Sequence, residues 1–198
     1  MVAVCVYCAS SELVDERYKE LAAAVGTALA QAGYDLVSGG GSVSCMGAVA
    51  RAARAAGAHT TGVIPEALLE LEVHDADADE LIVVSDMRVR KALMDERSDA
   101  FLTLPGGIGT IEELVEVWTA RSLHMHDKPV IILDPWHDYA GLHELVSHLE
   151  RTGFMRQQAV EQVVWTYSID DALAAIAGGV GVRTTITPTP AEILEAEG

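Results

Sequence analysis

Basic side chains are scarce in this sequence, which has a large excess of acidic ones. Of its 198 residues, 13 are Lys or Arg and 30 are Asp or Glu, so the formal net charge is −17. A protein with this charge has no general attraction for nucleic acid or for an anionic membrane surface. We therefore expect neither as a partner, and any anionic ligand must be bound by local groups that overcome a repulsive field.

Cysteines and long apolar runs are also few. Three cysteines are an odd, small number that does not suggest a disulfide framework. No apolar run reaches the ~18 residues of a membrane helix, and the short apolar N-terminus lacks the basic region of a secretory signal. We therefore expect a cytoplasmic protein. Cys5 and Cys8 have C-x-x-C spacing, but strand alternation points them to opposite faces, so we interpret them as packing residues rather than a redox or zinc pair.

Apolar, β-branched runs alternate with amphipathic helical segments along most of the chain. Half of the residues are hydrophobic, enough for the core of one domain. Strands are predicted at 2–7, 34–38, 60–64, 81–84, 100–104, 130–133 and 163–167, and the longer helices at 14–32, 45–56, 87–97, 110–123, 139–152 and 169–177. This alternation predicts a single α/β domain at 1–178, built on a doubly wound parallel sheet. A Gly-, Thr- and Pro-rich tail follows at 179–198, and its composition suggests disorder.

Two glycine-rich segments follow predicted strands. Gly39 to Gly41 come after the second strand, and Gly106 to Gly109 come after the fifth. Neither matches the dinucleotide-binding fingerprint or the P-loop. Glycines at such positions either make tight turns or leave backbone N–H groups open to a phosphate at a helix N-terminus. Because both segments fall at the carboxyl edge of the same sheet, where α/β proteins bind ligands, we favour an anion site.

Glu113 follows the second glycine segment and has two possible roles. Thr110 and Glu113 have the spacing of a capping box, in which the glutamate stabilises a helix start. A carboxylate in the first helical turn beside a phosphate site is equally well placed for acid–base chemistry. Spacing alone leaves both interpretations open.

A concentration of positive charge follows the fourth predicted strand. Arg88, Arg90 and Lys91 lie close together in a chain with only 13 basic residues. Such a cluster is often a solvated helix face. Here it lies at the same sheet edge as the glycines, so a role with an anionic substrate is at least as well supported.

The nine residues from Pro105 to Glu113 resemble the PGGxGTxxE signature of the LONELY GUY family. Members of this family are cytokinin nucleoside 5′-monophosphate phosphoribohydrolases, long misnamed lysine decarboxylases. Further short motifs occur in the family's order and spacing: Ser38-Gly39-Gly40-Gly41, Met46-Gly47, Gly62-Val63-Ile64-Pro65, Met87-x-x-Arg90-Lys91, Ser98-Asp99-Ala100-Phe101 and His126-Asp127-Lys128-Pro129. The resemblance extends from about residue 2 to about residue 177.

The resemblance implies a homodimeric, Rossmann-like fold that uses no metal and no organic cofactor. It implies cleavage of the N-glycosidic bond of a purine nucleoside 5′-monophosphate, with release of the free base and ribose 5-phosphate. The family's catalytic arginine and glutamate fall on Arg90 and Glu113. Its nucleotide-contacting positions fall on Glu72, Lys91, Gly106, Gly107, Ile108, Gly109, Thr110, Ile111, Glu112 and Thr119. Ser10, Gly40 and Gly41 complete the set of candidate substrate-binding residues.

Some positions depart from the family pattern. They are Arg88 in place of His, Ser44-Cys45 in place of Gly-Leu, Ala9 in place of Gly, and Thr119 to Ser122, which lack the usual Trp and Gln. These changes leave Arg90 and Glu113 in place, so they bear on the preferred base, adenine or N6-prenylated adenine, more than on the reaction.

The alternative function is a non-catalytic protein that binds or senses purine nucleotides. The presence of both Arg90 and Glu113 argues against it.

Overall fold

The computed structural model describes residues 1–69 and 74–181. In this part of the chain, seven strands form one sheet in the order β4-β3-β2-β1-β5-β6-β7, and every pair of neighbours is parallel. The strands are β1 Ala3–Tyr7, β2 Asp35–Ser38, β3 Thr60–Pro65, β4 Glu80–Val84, β5 Ala100–Thr103, β6 Val130–Leu133 and β7 Val163–Thr166. The chain winds outward from β1 to β4 and then crosses back to β5, which confirms the doubly wound, Rossmann-like sheet.

Helices cover both faces of the sheet. They are α1 Glu16–Gln31, α2 Ser44–Ala55, α3 Glu66–Leu69, α4 Met87–Glu96, α5 Ile108–Ser122, α6 Ala140–Arg151, α7 Gln157–Val160 and α8 Ile169–Gly179. Apolar residues of α1, α2 and α8 form one buried cluster with the sheet, and those of α4, α5 and α6 form the other. Cys8 packs in the first cluster and Cys5 in the second, which confirms that the two thiols lie on opposite faces.

The strand alternation explains this two-layer core. Val4 and Val6 point to the layer of α1, whereas Cys5 and Tyr7 point to the layer of α5. The inner strands β5 and β6 are buried along their whole length, as expected for strands covered on both faces. Burial of these continuous apolar strands against the helices contributes to the hydrophobic stabilisation of the domain.

The bounds of the predicted strands and longer helices agree with the observed ones to within two residues, and the short α7 was not predicted. Helix α5 begins at Ile108, two residues before its predicted start. The predicted tail at 179–198 lies almost wholly outside the described residues. Every helix in residues 1–69 and 74–181 is too short or too polar to span a bilayer.

Candidate active site

A cavity of about 640 Å³ opens over the carboxyl ends of the central strands, where the chain reverses its winding direction. Ser10, after β1, and the segment Gly106–Thr110, after β5, form its middle. Arg90 and Glu113 lie in its wall, on α4 and α5 respectively. The fold therefore brings the two predicted catalytic residues and the second glycine segment to one site.

Arg90 is held rigidly although it is charged and almost fully buried, with 6% of its surface exposed. It lies in the first turn of α4, which is capped by Asp86 through bonds from the N–H groups of Arg88 and Val89. Its Nε donates to the carbonyl oxygen of Val63 at 3.1 Å, and its Nη2 donates to that of Gly39 at 3.3 Å. These two backbone acceptors fix the guanidinium plane.

The first glycine segment makes room for this guanidinium. A Cβ atom on Gly39 would lie only 1.8 Å from Nη2 of Arg90. Gly40 and Gly41 are buried, and their N–H groups already donate within the protein, to Ser38 Oγ at 3.4 Å and to Met46 Sδ at 3.1 Å. Neither Gly40 nor Gly41 is among the described residues that line the cavity.

Glu113 faces Arg90 across the end of the cavity. Its Oε1 lies 3.5 Å from Nη1 of Arg90, and 13% of its side chain is exposed. The capping-box interpretation is wrong, because Gly107 is the N-cap and Thr110 lies inside the first turn of α5. Glu113 consequently lies in the second turn, where it stabilises no helix start and its carboxylate is available to a ligand.

Burial raises the pKa of Glu113 from 4.5 to about 7. The positive charge of Arg90 opposes this rise but does not cancel it, and the neighbouring charge of Glu112 adds to it. A carboxyl group that titrates near neutral pH in a cavity is characteristic of an acid–base catalyst.

The N-terminus of α5 points into the cavity without a capping side chain. Gly107 makes no side-chain cap, so the first N–H groups of the helix are open to a ligand. A Cβ on Gly107 or on Gly109 would meet no protein atom within 4 Å. Packing therefore does not require glycine at these two positions, whereas close approach of a ligand to the backbone would.

Other predicted substrate-binding residues lie beside the cavity rather than in it. Lys91 and Thr119 line a neighbouring groove of about 620 Å³ between α4 and α5, and Glu112 borders both spaces. Lys91 is paired with Glu112 and, at 2.8 Å, with Glu116. Ile111 is partly buried against the core, and Glu72 lies outside the described residues.

The cavity also contains residues that the sequence interpretation missed. Leu68 and Met87 line it, as do Tyr18 and Asp138. Asp138 follows β6 at the same sheet edge as the glycine segments, so its position in the sequence could have indicated that it lies at the site. In residues 1–69 and 74–181, His, Cys, Asp and Glu side chains form no group of three or more that could hold a metal ion.

Comparison with known proteins gives matches over most of the chain. Residues 46–181 match the model of a family described as possible lysine decarboxylase. The chain is 50% identical over 176 residues to a cytokinin riboside 5′-monophosphate phosphoribohydrolase of Mycobacterium marinum, covering 89% of this chain and 94% of that protein. It is 51% identical over 174 residues to the protein of the same name from Mycobacterium tuberculosis, covering 88% and 92%.

A solved structure shares the fold at low identity. The molybdenum cofactor carrier protein of Chlamydomonas reinhardtii aligns with a TM-score of 0.68 and 21% identity, covering 89% of this chain and 96% of that one. This similarity concerns the fold alone.

Proposed function

The chain belongs to the family described as possible lysine decarboxylases, which it shares with the cytokinin riboside 5′-monophosphate phosphoribohydrolases, and on that basis we propose that it is a phosphoribohydrolase. It hydrolyses the N-glycosidic bond of AMP, cytokinin riboside 5′-monophosphates or both, and releases the free base and ribose 5-phosphate. The observation that carries the proposal is the buried Arg90–Glu113 pair beside an uncapped helix N-terminus in one cavity.

The chemistry requires an anion beside C1′ of the ribose. As the bond from C1′ to the base breaks, positive charge develops on the ribose as in other glycoside hydrolyses. In the proposal, the Glu113 carboxylate stabilises that charge and takes a proton from the attacking water, whose oxygen bonds to C1′. The base leaves with the electron pair of the broken bond and takes up a proton from solvent water. Arg90 orients Glu113 and donates hydrogen bonds near the leaving base. Arg90 is not assigned proton transfer, because the pKa of an arginine exceeds ~12.

The phosphate is assigned to the N-terminus of α5. The open N–H groups and the helix dipole attract an anion there, and the hydroxyl groups of Ser10 and Thr110 are beside it. Binding energy from this remote group positions C1′ against Glu113. This local attraction also offsets the repulsive field of a chain with a net charge of −17.

The test is incubation with AMP and with isopentenyladenosine monophosphate, with the free base followed by chromatography. Release of the base from either nucleotide supports the proposal. Adenosine serves as the control, because it lacks the phosphate and should be a poor substrate. Equal turnover of AMP and adenosine would remove the reason for assigning the helix N-terminus to a phosphate.

A homodimer, a cytoplasmic location and a single catalytic domain at 1–178 are part of the same proposal. The dimer is supported by the exposed apolar side chains of Val115 and Met125, which line the groove between α4 and α5, and by the exposed Val89 on α4. A charge at Val115 should therefore lower the molar mass measured by light scattering. A wild-type protein that is monomeric and fully active at micromolar concentration would contradict the dimer.

A further inference from the structure

The two ends of the cavity differ in what they offer a ligand. Arg90 is bonded to Gly39 and Val63, which places it on the β2–β3 side of the crevice. Asp138 follows β6 and lies on the other side, with the uncapped N-terminus of α5 between them. A nucleotide that extends from the α5 N-terminus to Glu113 therefore leaves the Asp138 end beyond its phosphate.

Asp138 is fixed in position by a small polar network. Its Oδ1 accepts from the hydroxyl group of Tyr18 at 2.7 Å, and its backbone N–H donates to Asp134 at 2.8 Å. Arg17 donates to the Tyr18 hydroxyl at 2.6 Å, and its Nη2 lies 3.9 Å from Asp138 Oδ1. The Arg17 guanidinium also lies over the rings of Tyr18 and Trp136. Asp138 and Tyr18 face the cavity, whereas Arg17 is not among the described residues that line it.

This end of the cavity is unsuited to a second phosphate. In a nucleoside diphosphate, the ribose and the β-phosphate are attached to different oxygens of the α-phosphate, so the β-phosphate points away from the ribose. It would then face the Asp138 carboxylate. Arg90 is the cation among the described lining residues, and it is already bonded at the opposite end.

We propose that Asp138, held by Tyr18 and partly neutralised by Arg17, makes this site selective for nucleoside 5′-monophosphates by repelling a second phosphate. The inference rests on the proposed function, because it assumes that the α5 N-terminus holds the nucleotide's phosphate. It assigns a specificity-determining role to a residue that need not contact a monophosphate substrate.

The test compares two substitutions that change the local charge in opposite directions. Asp138→Asn keeps the shape and an oxygen that accepts from Tyr18, but it removes the negative charge and leaves Arg17 unneutralised. Arg17→Gln leaves Asp138 unneutralised. The measured quantity is the inhibition constant of ADP divided by the KM of AMP in AMP hydrolysis. That ratio should fall at least about fivefold in Asp138→Asn and should rise in Arg17→Gln.

Inorganic phosphate and pyrophosphate are a second pair of probes for the same contact. In Asp138→Asn, the inhibition constant of pyrophosphate divided by that of phosphate should be lower than in the wild type. In the wild-type protein, added salt to ~0.5 M should weaken the discrimination against ADP, because it screens a partly exposed charge. If thermal melting shows that a variant does not fold, this measurement on the wild-type protein tests the inference without the variant.

Unchanged ratios in Asp138→Asn, or a shift in the same direction in both variants, would overturn the inference. A wild-type discrimination that salt does not alter would also overturn it. Absence of base release from both AMP and isopentenyladenosine monophosphate by the wild type would instead overturn the proposed function. Direct binding of AMP and ADP by calorimetry would then still test whether Asp138 repels a second phosphate.

Discussion

Gly39→Ala should inactivate the protein through a contact with the predicted catalytic arginine. The backbone of Gly39 does not need glycine, because its φ lies outside the left-handed region. A Cβ there would nevertheless lie 1.8 Å from Nη2 of Arg90 and 3.2 Å from Met46 Sδ. Since ordinary contacts are ~3.5 Å, the guanidinium has to retreat by more than about 1.5 Å.

That displacement breaks the bond from Arg90 to the Gly39 carbonyl and separates Arg90 from Glu113. A misplacement of about 1 Å in a catalytic group can cost roughly a hundredfold in rate. We therefore expect kcat/KM with AMP to fall by about a hundredfold or more. The assay is steady-state release of adenine, with circular dichroism to confirm the fold.

Gly141→Ala is the matched control, because a Cβ on Gly141 in α6 meets nothing within 4 Å. It should leave kcat/KM unchanged and stabilise the helix by about 0.5–1 kcal/mol. If Gly39→Ala retained near-normal kcat/KM, Arg90 would not need its observed position, and its assigned role would be refuted.

Two further predictions concern the titration of Glu113. If the ionised carboxylate is the active form, kcat/KM should rise with pH up to about 7 and then level off, whereas a flat profile from pH 5 to 8 would contradict this. The raised pKa of Glu113 also means that the folded protein binds a proton more tightly than the unfolded chain. The stability gained from this proton is fully present below pH ~4.5 and is lost as pH rises to about 7, and it amounts to about 3 kcal/mol. The free energy of unfolding of wild type minus that of Glu113→Gln should therefore fall over that pH range in denaturant titrations, and a constant difference would show that burial does not raise this pKa.

Much of the fold could be predicted from the sequence, because buried parallel strands and amphipathic helices have distinct periodicities. The predicted strand ends agree with the observed ones to within one residue. The predicted start of α5 was wrong for a local reason. Thr110 and Glu113 have capping-box spacing, yet the helix begins at Ile108 after the N-cap Gly107, where no side-chain signal marks the cap.

The candidate site was harder to predict because tertiary contacts decide which groups face it. Helical spacing places Arg90 on the buried face of α4 with Met94, so its inward position could have been inferred. The bond from the Gly41 N–H group to the sulfur of Met46 could not have been inferred, because no sequence signal indicates it.

The most direct test of the central claim is kcat for AMP hydrolysis in Glu113→Gln, with thermal melting of the same protein. The substitution removes the charge and keeps the shape, and no helix cap is lost because Glu113 lies in the second turn of α5. Glu112→Gln is the control in the same turn, with a smaller loss expected. If Glu113 is the catalytic carboxylate, Glu113→Gln lowers kcat by about a hundredfold or more without lowering the melting temperature. A near-normal kcat for Glu113→Gln would contradict catalysis by Glu113 and favour the nucleotide-sensing alternative.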